Sequence, residues 1–430
     1  MTTAWKSIKN HGPIMLGLIL VVFLAFGRLT TGDFWHQLDF QILVEAHGLA
    51  ANPWAMFKHI GAWFNQPLLQ LAFLFEYRAF GLDYGGYITI NLLLHALNAF
   101  IVYMLVNLLF YRERLALLAA ILFALCVGSY GRNLQTVHNL ESLLLTFLHL
   151  LVLYLFIRND YRREGRIFSS YFWVGLVIYS LTGLTKASTL SLLVCLVAYK
   201  AFFYEKRERR PIFSNDLLIF LALGLLFQYG QARWVSAVPA VVSQNDGPLH
   251  YTVMSALNVF RYLNLMVFPL QESTLLKEAG PLVQVLYDLR IAIRSLLSLS
   301  VISYSFFGFV FGSRPLRFFI AWTYLTIIPF SSYNSGENWL DLSHLYLASL
   351  GFCVILSSAS MACMRLLGTR RWRRLLPMTV PLLFVVTALT LTYRLDHRNR
   401  ATAATPRVQA LKQETVERIQ EPPIRLETAD

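Results

Sequence analysis

The sequence predicts an all-α fold, a polytopic membrane helix bundle of about 11 transmembrane helices, and three observations carry that prediction. First, 56% of the 430 residues are hydrophobic and only 14% are charged, with a mean hydropathy of +0.52. A soluble domain has about 25% charged residues, so this chain lacks the charge to cover a water-facing surface. Second, the apolar residues gather into runs near the length that a bilayer core of about 30 Å requires, about 20 residues per helix. Third, the positive charge is local. Residues 1–13, 111–115, 158–166, 200–210, 313–317 and 365–374 hold 20 Lys and Arg against 5 Asp and Glu, although the whole chain is only +13. Each stretch abuts an apolar run, as short cytoplasmic loops do.

The basicity therefore reports topology, and a nucleic-acid partner is excluded because no basic face belongs to a water-exposed domain. Gly (23), Pro (15) and Cys (4) are too few for a fibrous repeat or a disulfide scaffold. Cys126, Cys195, Cys353 and Cys363 lie in or beside apolar runs without zinc-ligand spacing.

Taken in order, the expected spans are 14–30, 87–110, 116–130, 139–157, 168–184, 187–204, 214–230, 289–312, 317–331, 345–363 and 376–392. A further run, 253–270, raises a parity problem. Loops 200–210 and 313–317 both belong on the cytoplasmic side, so an even number of spans separates them. The run contains Asn258, Arg261 and Asn264 and ends at Pro269. These are costly in lipid, so it is expected to lie at an interface or re-enter.

With the N-terminus inside, the outer face receives residues 31–86, the turn at 131–138, the hinge at Thr185 and Lys186, residues 231–288 and residues 332–344. Trp35, Trp54 and Trp63 in the first of these suit helices lying in the headgroup layer. Residues 1–392 are expected to form the transmembrane domain. Residues 393–430, with seven basic and six acidic side chains and Pro422-Pro423, are expected to form a polar, flexible tail.

The unusual chemistry collects on the outer face. The first outer loop opens Gly32-Asp33-Phe34-Trp35-His36-Gln37-Leu38-Asp39, placing two carboxylates and an imidazole just past the first span. A carboxylate there suits a general base or a divalent cation; equally, Asp is a preferred helix N-cap. Arg132, His138 and Glu141 bracket the start of the fourth span. They read either as substrate-positioning groups, or as a snorkelling arginine and an acid placed on a helix dipole. Lys186 is a lone outer cation in need of an anion. His344 is the candidate cation of a loop, 332–344, that has no Lys or Arg. His95 and His149, inside spans, read as helix–helix hydrogen bonders.

Four motifs then carry a resemblance. They are Asn65-Gln66-Pro67-Leu68-Leu69; Gly81-Leu82-Asp83-Tyr84-Gly85-Gly86-Tyr87 followed by Asn91-Leu92-Leu93-Leu94-His95-Ala96-Leu97-Asn98-Ala99; Thr185-Lys186; and Ser343-His344-Leu345-Tyr346-Leu347-Ala348-Ser349-Leu350-Gly351-Phe352. In this order they resemble the GT-C class of polytopic membrane glycosyltransferases, in particular the branch related to protein O-mannosyltransferases whose members often carry tetratricopeptide repeats. The repeats are absent here. Gln66-Pro67 stands for the family's Arg-Pro, Ala187 for the acid of its Ser-Lys-Glu turn, and His344 for an arginine. The paired first-loop acids are reduced to Asp39, with Asp33 six residues earlier.

The resemblance implies a multi-pass enzyme of a bacterial cytoplasmic (inner) membrane. Such an enzyme moves a sugar from a polyprenyl-phosphate-linked donor to a protein or glycan acceptor on the outer face. In that frame Asp39, ahead of Asp33, is the expected base. Lys186, His344, Arg261 and Arg132 are expected at the donor phosphate, and His36, His138, Glu141 and Tyr346 at acceptor-positioning places. Membrane lipid is the surrounding partner, and a divalent cation is a possible cofactor. Two other readings stay open: a transporter or flippase of lipid-linked glycans and, from the departures, a catalytically inactive GT-C-like scaffold. A flippase would put charges near the membrane midplane, whereas here they gather at one rim.

Overall fold

The computed structural model describes residues 2–54, 66–126, 132–161, 169–183, 189–203, 212–235, 248–267, 281–331, 342–367 and 371–420. These form sixteen α-helices, with no strand among the described residues. α1 (Thr2–Phe26) leads through a 3-10 turn (Gly27–Thr31) to the first-loop helices α2 (Gln37–Ala51) and α3 (Pro67–Phe80). Then come α4 (Tyr84–Phe110), α5 (Glu113–Leu125), the single turn α6 (Arg132–Gln135), α7 (Leu140–Tyr161), α8 (Ser170–Gly183), α9 (Thr189–Phe203) and α10 (Asn215–Val235). The C-terminal half holds α11 (Pro248–Val267), α12 (Pro281–Phe311), α13 (Arg314–Ser331), α14 (Leu345–Leu366), α15 (Arg371–Ala403) and α16 (Pro406–Gln420).

Each of the eleven expected spans lies at least partly on a helix. Five described stretches are long and apolar enough to cross a membrane: His11–Thr31, Tyr84–Phe110, Leu140–Tyr161, Leu345–Leu366 and Leu375–Ala403. Leu16, Leu20 and Leu24, four residues apart on α1, are 64%, 59% and 78% exposed, and Leu225, Phe306, Phe307, Leu382 and Leu383 are also exposed. Apolar surface of this extent belongs in lipid, and the chain is an integral membrane protein.

Two helices organise the interior. α4 packs against α1, α5 and α7, and α14 packs against α5, α13 and α15. On α4, Asn91, His95 and Asn98 fall at i, i+4 and i+7, hence on one face, and each reaches across to neighbouring segments. Asn91 Nδ2 donates to the Thr136 carbonyl at 3.1 Å, and Asn98 Nδ2 to the Leu143 carbonyl and the Tyr346 hydroxyl, both at 3.1 Å. His95 Nε2 bonds the Ala124 carbonyl at 3.0 Å. A carbonyl only accepts, so Nδ1 accepts from the Tyr346 hydroxyl at 2.7 Å. In an apolar bundle this stripe specifies which helices meet.

The N-terminus of α4 is built by a glycine turn. Gly81 has φ +57°, and Asp83 caps the helix through its Oδ1 on the Gly85 N–H at 3.0 Å. A Cβ on Gly86 would lie 2.2 Å from the Phe80 ring, so this close approach of α3 to α4 requires glycine. At the end carrying the basic loops, Lys200 on α9 pairs with Asp160 at 2.7 Å and Asp216 at 3.4 Å, joining α7, α9 and α10.

Several expectations are modified. Trp35 is tied to the protein, its Nε1–H donating to the Gln135 carbonyl at 3.0 Å. Trp54 is 75% exposed, and Trp63 lies outside the described residues. The run 253–270 is helical to Val267, and one of its polar groups finds a partner on another helix: Asn258 Nδ2 donates to the Ser331 carbonyl at 2.8 Å. The polar tail, expected to be flexible, is helical through Gln420. Val408, Leu411, Thr415 and Ile419 form a narrow stripe that seats α16 against the body, where it packs on α2. Such a stripe is diluted by the charges between its members.

Glu76 on α3 is 6% exposed, and neither carboxylate oxygen has a hydrogen-bond partner among the described residues. Burial pushes its pKa up to about 8. A carboxyl that binds its proton more tightly when folded than unfolded loses stability as pH rises from the unfolded value toward the folded one. The protein is therefore expected to lose stability between about pH 4.5 and 8. Glu76→Gln should raise the apparent unfolding temperature at pH 8 and change it little at pH 4.5, read by thermal unfolding in detergent. Tyr346→Phe should lower that temperature at both pH values, since unpartnering buried polar groups costs about 1–3 kcal/mol.

Candidate active site

The site begins with a turn whose shape is set by one aromatic side chain. Phe34 is 2% exposed and sits edge-on to Tyr84 at 5.3 Å and Tyr87 at 6.0 Å. It pins the loop to the start of α4, and Asp33 Oδ1 accepts the Phe34 N–H at 2.8 Å. Two residues on, His36 caps α2, its Nδ1 accepting the Leu38 N–H at 3.3 Å. The N-cap is thus the histidine rather than an aspartate, which leaves Asp39 in the first turn for another use.

That use lies across the bundle. Asp39 has no exposed surface, and its Oδ1 accepts both the backbone N–H and the Nδ1–H of His138, each at 3.0 Å. The His36 and His138 rings stack at 4.4 Å. Three side chains from opposite ends of a 100-residue stretch therefore converge, with one ligand-capable atom of each within 4.8 Å of the others. Asp39 Oδ2 is buried and has no hydrogen-bond partner among the described residues. A carboxylate with one oxygen fixed and the other uncommitted can accept a proton or ligate a cation. The donor set also fits a metal, since a ligating imidazole is typically oriented by a carboxylate on its other nitrogen.

The other candidates distribute themselves differently. Asp33 Oδ2 is paired with Lys412 Nζ on α16, so both of its oxygens are engaged. Glu141 is half-buried in the first turn of α7. Tyr346 is 1% exposed and belongs to the interior hydrogen-bond stripe. His344 stacks on Phe330 at 4.1 Å, and its Nδ1 meets the Tyr262 hydroxyl at 3.1 Å. Arg261, exposed on α11, donates to Asn258 Oδ1 at 3.4 Å. The backbone of Arg132 starts α6, next to Asn133, whose Nδ2 donates to the Ser343 carbonyl at 3.4 Å and brings the His344 turn to this side of the bundle. Lys186 lies outside the described residues.

Sequence reasoning missed Gln135. Its carbonyl accepts Trp35 Nε1–H at 3.0 Å and the Tyr84 hydroxyl at 2.7 Å, while its side chain donates to the Thr392 carbonyl at 3.3 Å and accepts from Asn399 Nδ2 at 2.5 Å. A single glutamine in a polar turn carries no pattern that would have marked it.

No protein-family model and no curated protein sequence matches the chain. Solved structures do resemble it. The oligosaccharyltransferase AglB of the archaeon Archaeoglobus fulgidus, in complex with an inhibitory peptide and a dolichol-phosphate, superposes over 98% of this chain and 61% of its own, at 14% identity and a TM-score of 0.53. The Archaeoglobus fulgidus oligosaccharyltransferase in complex with Zn and sulfate does so over 94% and 57%, at 14% identity and a TM-score of 0.54. This chain spans about three-fifths of the length of these archaeal proteins. At that identity the likeness is one of fold alone: the helical bundle is built like that of these oligosaccharyltransferases.

Proposed function

We propose that this protein is a membrane glycosyltransferase that moves a sugar from a polyprenyl-phosphate-linked donor to a protein or glycan acceptor at the outer face of the membrane. The observation that carries the reading is the buried Asp39, held on one oxygen by His138 and uncommitted on the other among the described residues. It is supported by the fold likeness to an oligosaccharyltransferase solved with a dolichol-phosphate and an inhibitory peptide. The motifs that resemble the O-mannosyltransferase-related branch support a monosaccharide-type polyprenyl-phosphate donor.

In this reading Asp39 Oδ2 takes the proton of an acceptor hydroxyl as its oxygen attacks the anomeric carbon. The bond from that carbon to the donor phosphate breaks, and the lipid phosphate leaves with the electron pair. A phosphate is a stable leaving anion, so it needs positive charge and hydrogen bonds more than a proton. Arg132, Lys186, His344 and Arg261 are the proposed sources. His138 fixes Asp39 by two hydrogen bonds, and His36 closes the site from the α2 side by stacking. Asp33 is left as an anchor of the turn.

The triad would also hold a divalent cation, and two imidazoles with one carboxylate suit zinc or a similar transition ion better than magnesium. Such an ion, when bound, supplies positive charge for the donor phosphate. It would occupy the same oxygen that otherwise takes the proton, so the two uses exclude each other. Radiolabelled sugar transfer from polyprenyl-phosphate donors, measured with the purified protein in lipid, tests the reading. Asp39→Asn should lower the rate roughly 10²–10⁴-fold, the usual cost of a positioned general base. If chelation abolishes transfer and zinc restores it, Asp39 serves as a ligand; if chelation has no effect, it serves as the base. Transfer that survives Asp39→Asn would defeat the proposal. In parallel, cobalt added to the unmodified protein should give a visible absorption band if the triad ligates it, and that band should be absent in His36→Ala.

A further inference from the structure

The two walls of the site are far apart in sequence. One is the turn and first residues of α2, with His36 and Asp39; the other is the turn between α6 and α7, with His138. Both walls touch the C-terminal helices within three residues of the site. Lys412 Nζ on α16 pairs with Asp33 Oδ2, three residues before His36. Asn399 Nδ2 near the end of α15 donates to Gln135 Oε1 at 2.5 Å, and Gln135 Nε2 donates to the Thr392 carbonyl at 3.3 Å, three residues before His138.

A third contact lies between these two. Arg400 donates to the Thr31 carbonyl at 3.0 Å and the Arg28 carbonyl at 2.9 Å, engaging carbonyls of the 3-10 turn that leads into the site. Its guanidinium is aimed by Asp396, one turn back on the same helix, at 3.0 Å. Gln135 and Asn399 are 2% and 9% exposed, so their bonds are shielded from water. Lys412 and Asp33 are 40% and 39% exposed at the side chain, so that pair is open to solvent and salt.

We propose that the outer end of α15 and the docked α16 form a clamp that positions the site, with Asn399 and Lys412 as positioning residues for the two walls. The clamp rests on the reading of His36, Asp39 and His138 as the site. It acts through Asp33 on one wall and Gln135 on the other, and touches neither substrate nor reacting atoms. Its α16 arm is held by a four-residue stripe and a partly exposed ion pair, which puts it among the elements that open at low free-energy cost. Docking of the tail and assembly of the site are then coupled events.

Hydrogen–deuterium exchange on the full-length protein in lipid nanodiscs reads this without any assumption about the reaction. Lys412→Ala should speed exchange in residues 33–40 by about two- to fivefold, the range expected for a partly exposed ion pair. Lys412→Arg should keep the wild-type rate. Asp33→Lys alone should speed exchange, and combining it with Lys412→Asp should slow it again. Asn399→Ala should speed exchange in residues 132–141. Unchanged exchange in both segments overturns the clamp. So does an increase spread through α4 and α7 that Lys412→Arg fails to rescue, since that marks general destabilisation.

If the wild-type protein transfers sugar, Lys412→Ala should lower kcat with donor KM unchanged, and Lys412→Arg should restore it. An unaltered kcat beside raised exchange would make Lys412 structural only and defeat its positioning role. If the wild-type protein transfers no sugar from any polyprenyl-phosphate donor, the glycosyltransferase reading fails, and the exchange result still decides the clamp.

Discussion

A carboxyl group with no exposed surface needs hydrogen bonds in place of the water it has lost, and His138 supplies two of them to Asp39. Removing an ion from water costs several kcal/mol unless hydrogen bonds and opposite charge compensate. The backbone N–H and the ring N–H of one residue converge on a single oxygen, so compensation depends on the turn before α7 sitting in one register against α2. The other contacts between these segments follow that register: Trp35 reaches the Gln135 carbonyl, the two imidazoles stack, and Tyr84 closes the same carbonyl from α4.

The same constraint shapes the rest of the bundle with a different outcome. In the interior, both ring nitrogens of His95 are used, and the Tyr346 hydroxyl of α14 bonds both His95 and Asn98 of α4. At the opposite end, the buried Lys200 is neutralised by Asp160 and lies near Asp216. These groups hold helices together where lipid, being as apolar as the helices themselves, offers little driving force for association. Asp39 differs in that one oxygen has a double hydrogen bond while the other has none among the described residues. A half-committed buried carboxylate is a poor structural device and a good chemical one.

The motifs that carried the resemblance divide along this line. Asn91, His95, Asn98 and Tyr346 cross-brace helices, and Gly81, Asp83 and Gly86 shape the entry to α4. They describe the scaffold. The proposed site sits beside them, in residues whose spacing alone was compatible with a helix cap.

What the sequence by itself determined is the helical body and its polarity. A helix satisfies its own backbone hydrogen bonds, so runs such as 87–110 and 345–363 declare themselves locally in an apolar solvent, and the basic stretches mark one end. The acids and imidazoles at the other end were also legible as a candidate site, because few charged groups exist in so apolar a chain. Tertiary structure alone decided which of them meet. Asp39 finds His138 across 99 residues and Asp33 finds Lys412 across 379, so the two first-loop acids end up with different partners. The packing of the tail was not legible for the same reason: its apolar stripe of Val408, Leu411 and Ile419 is too sparse to stand out until α2 and the bundle supply the surface that it covers. Periodicity encodes how a segment folds on itself; the partner of a lone polar side chain is encoded only in the packing of all the segments together.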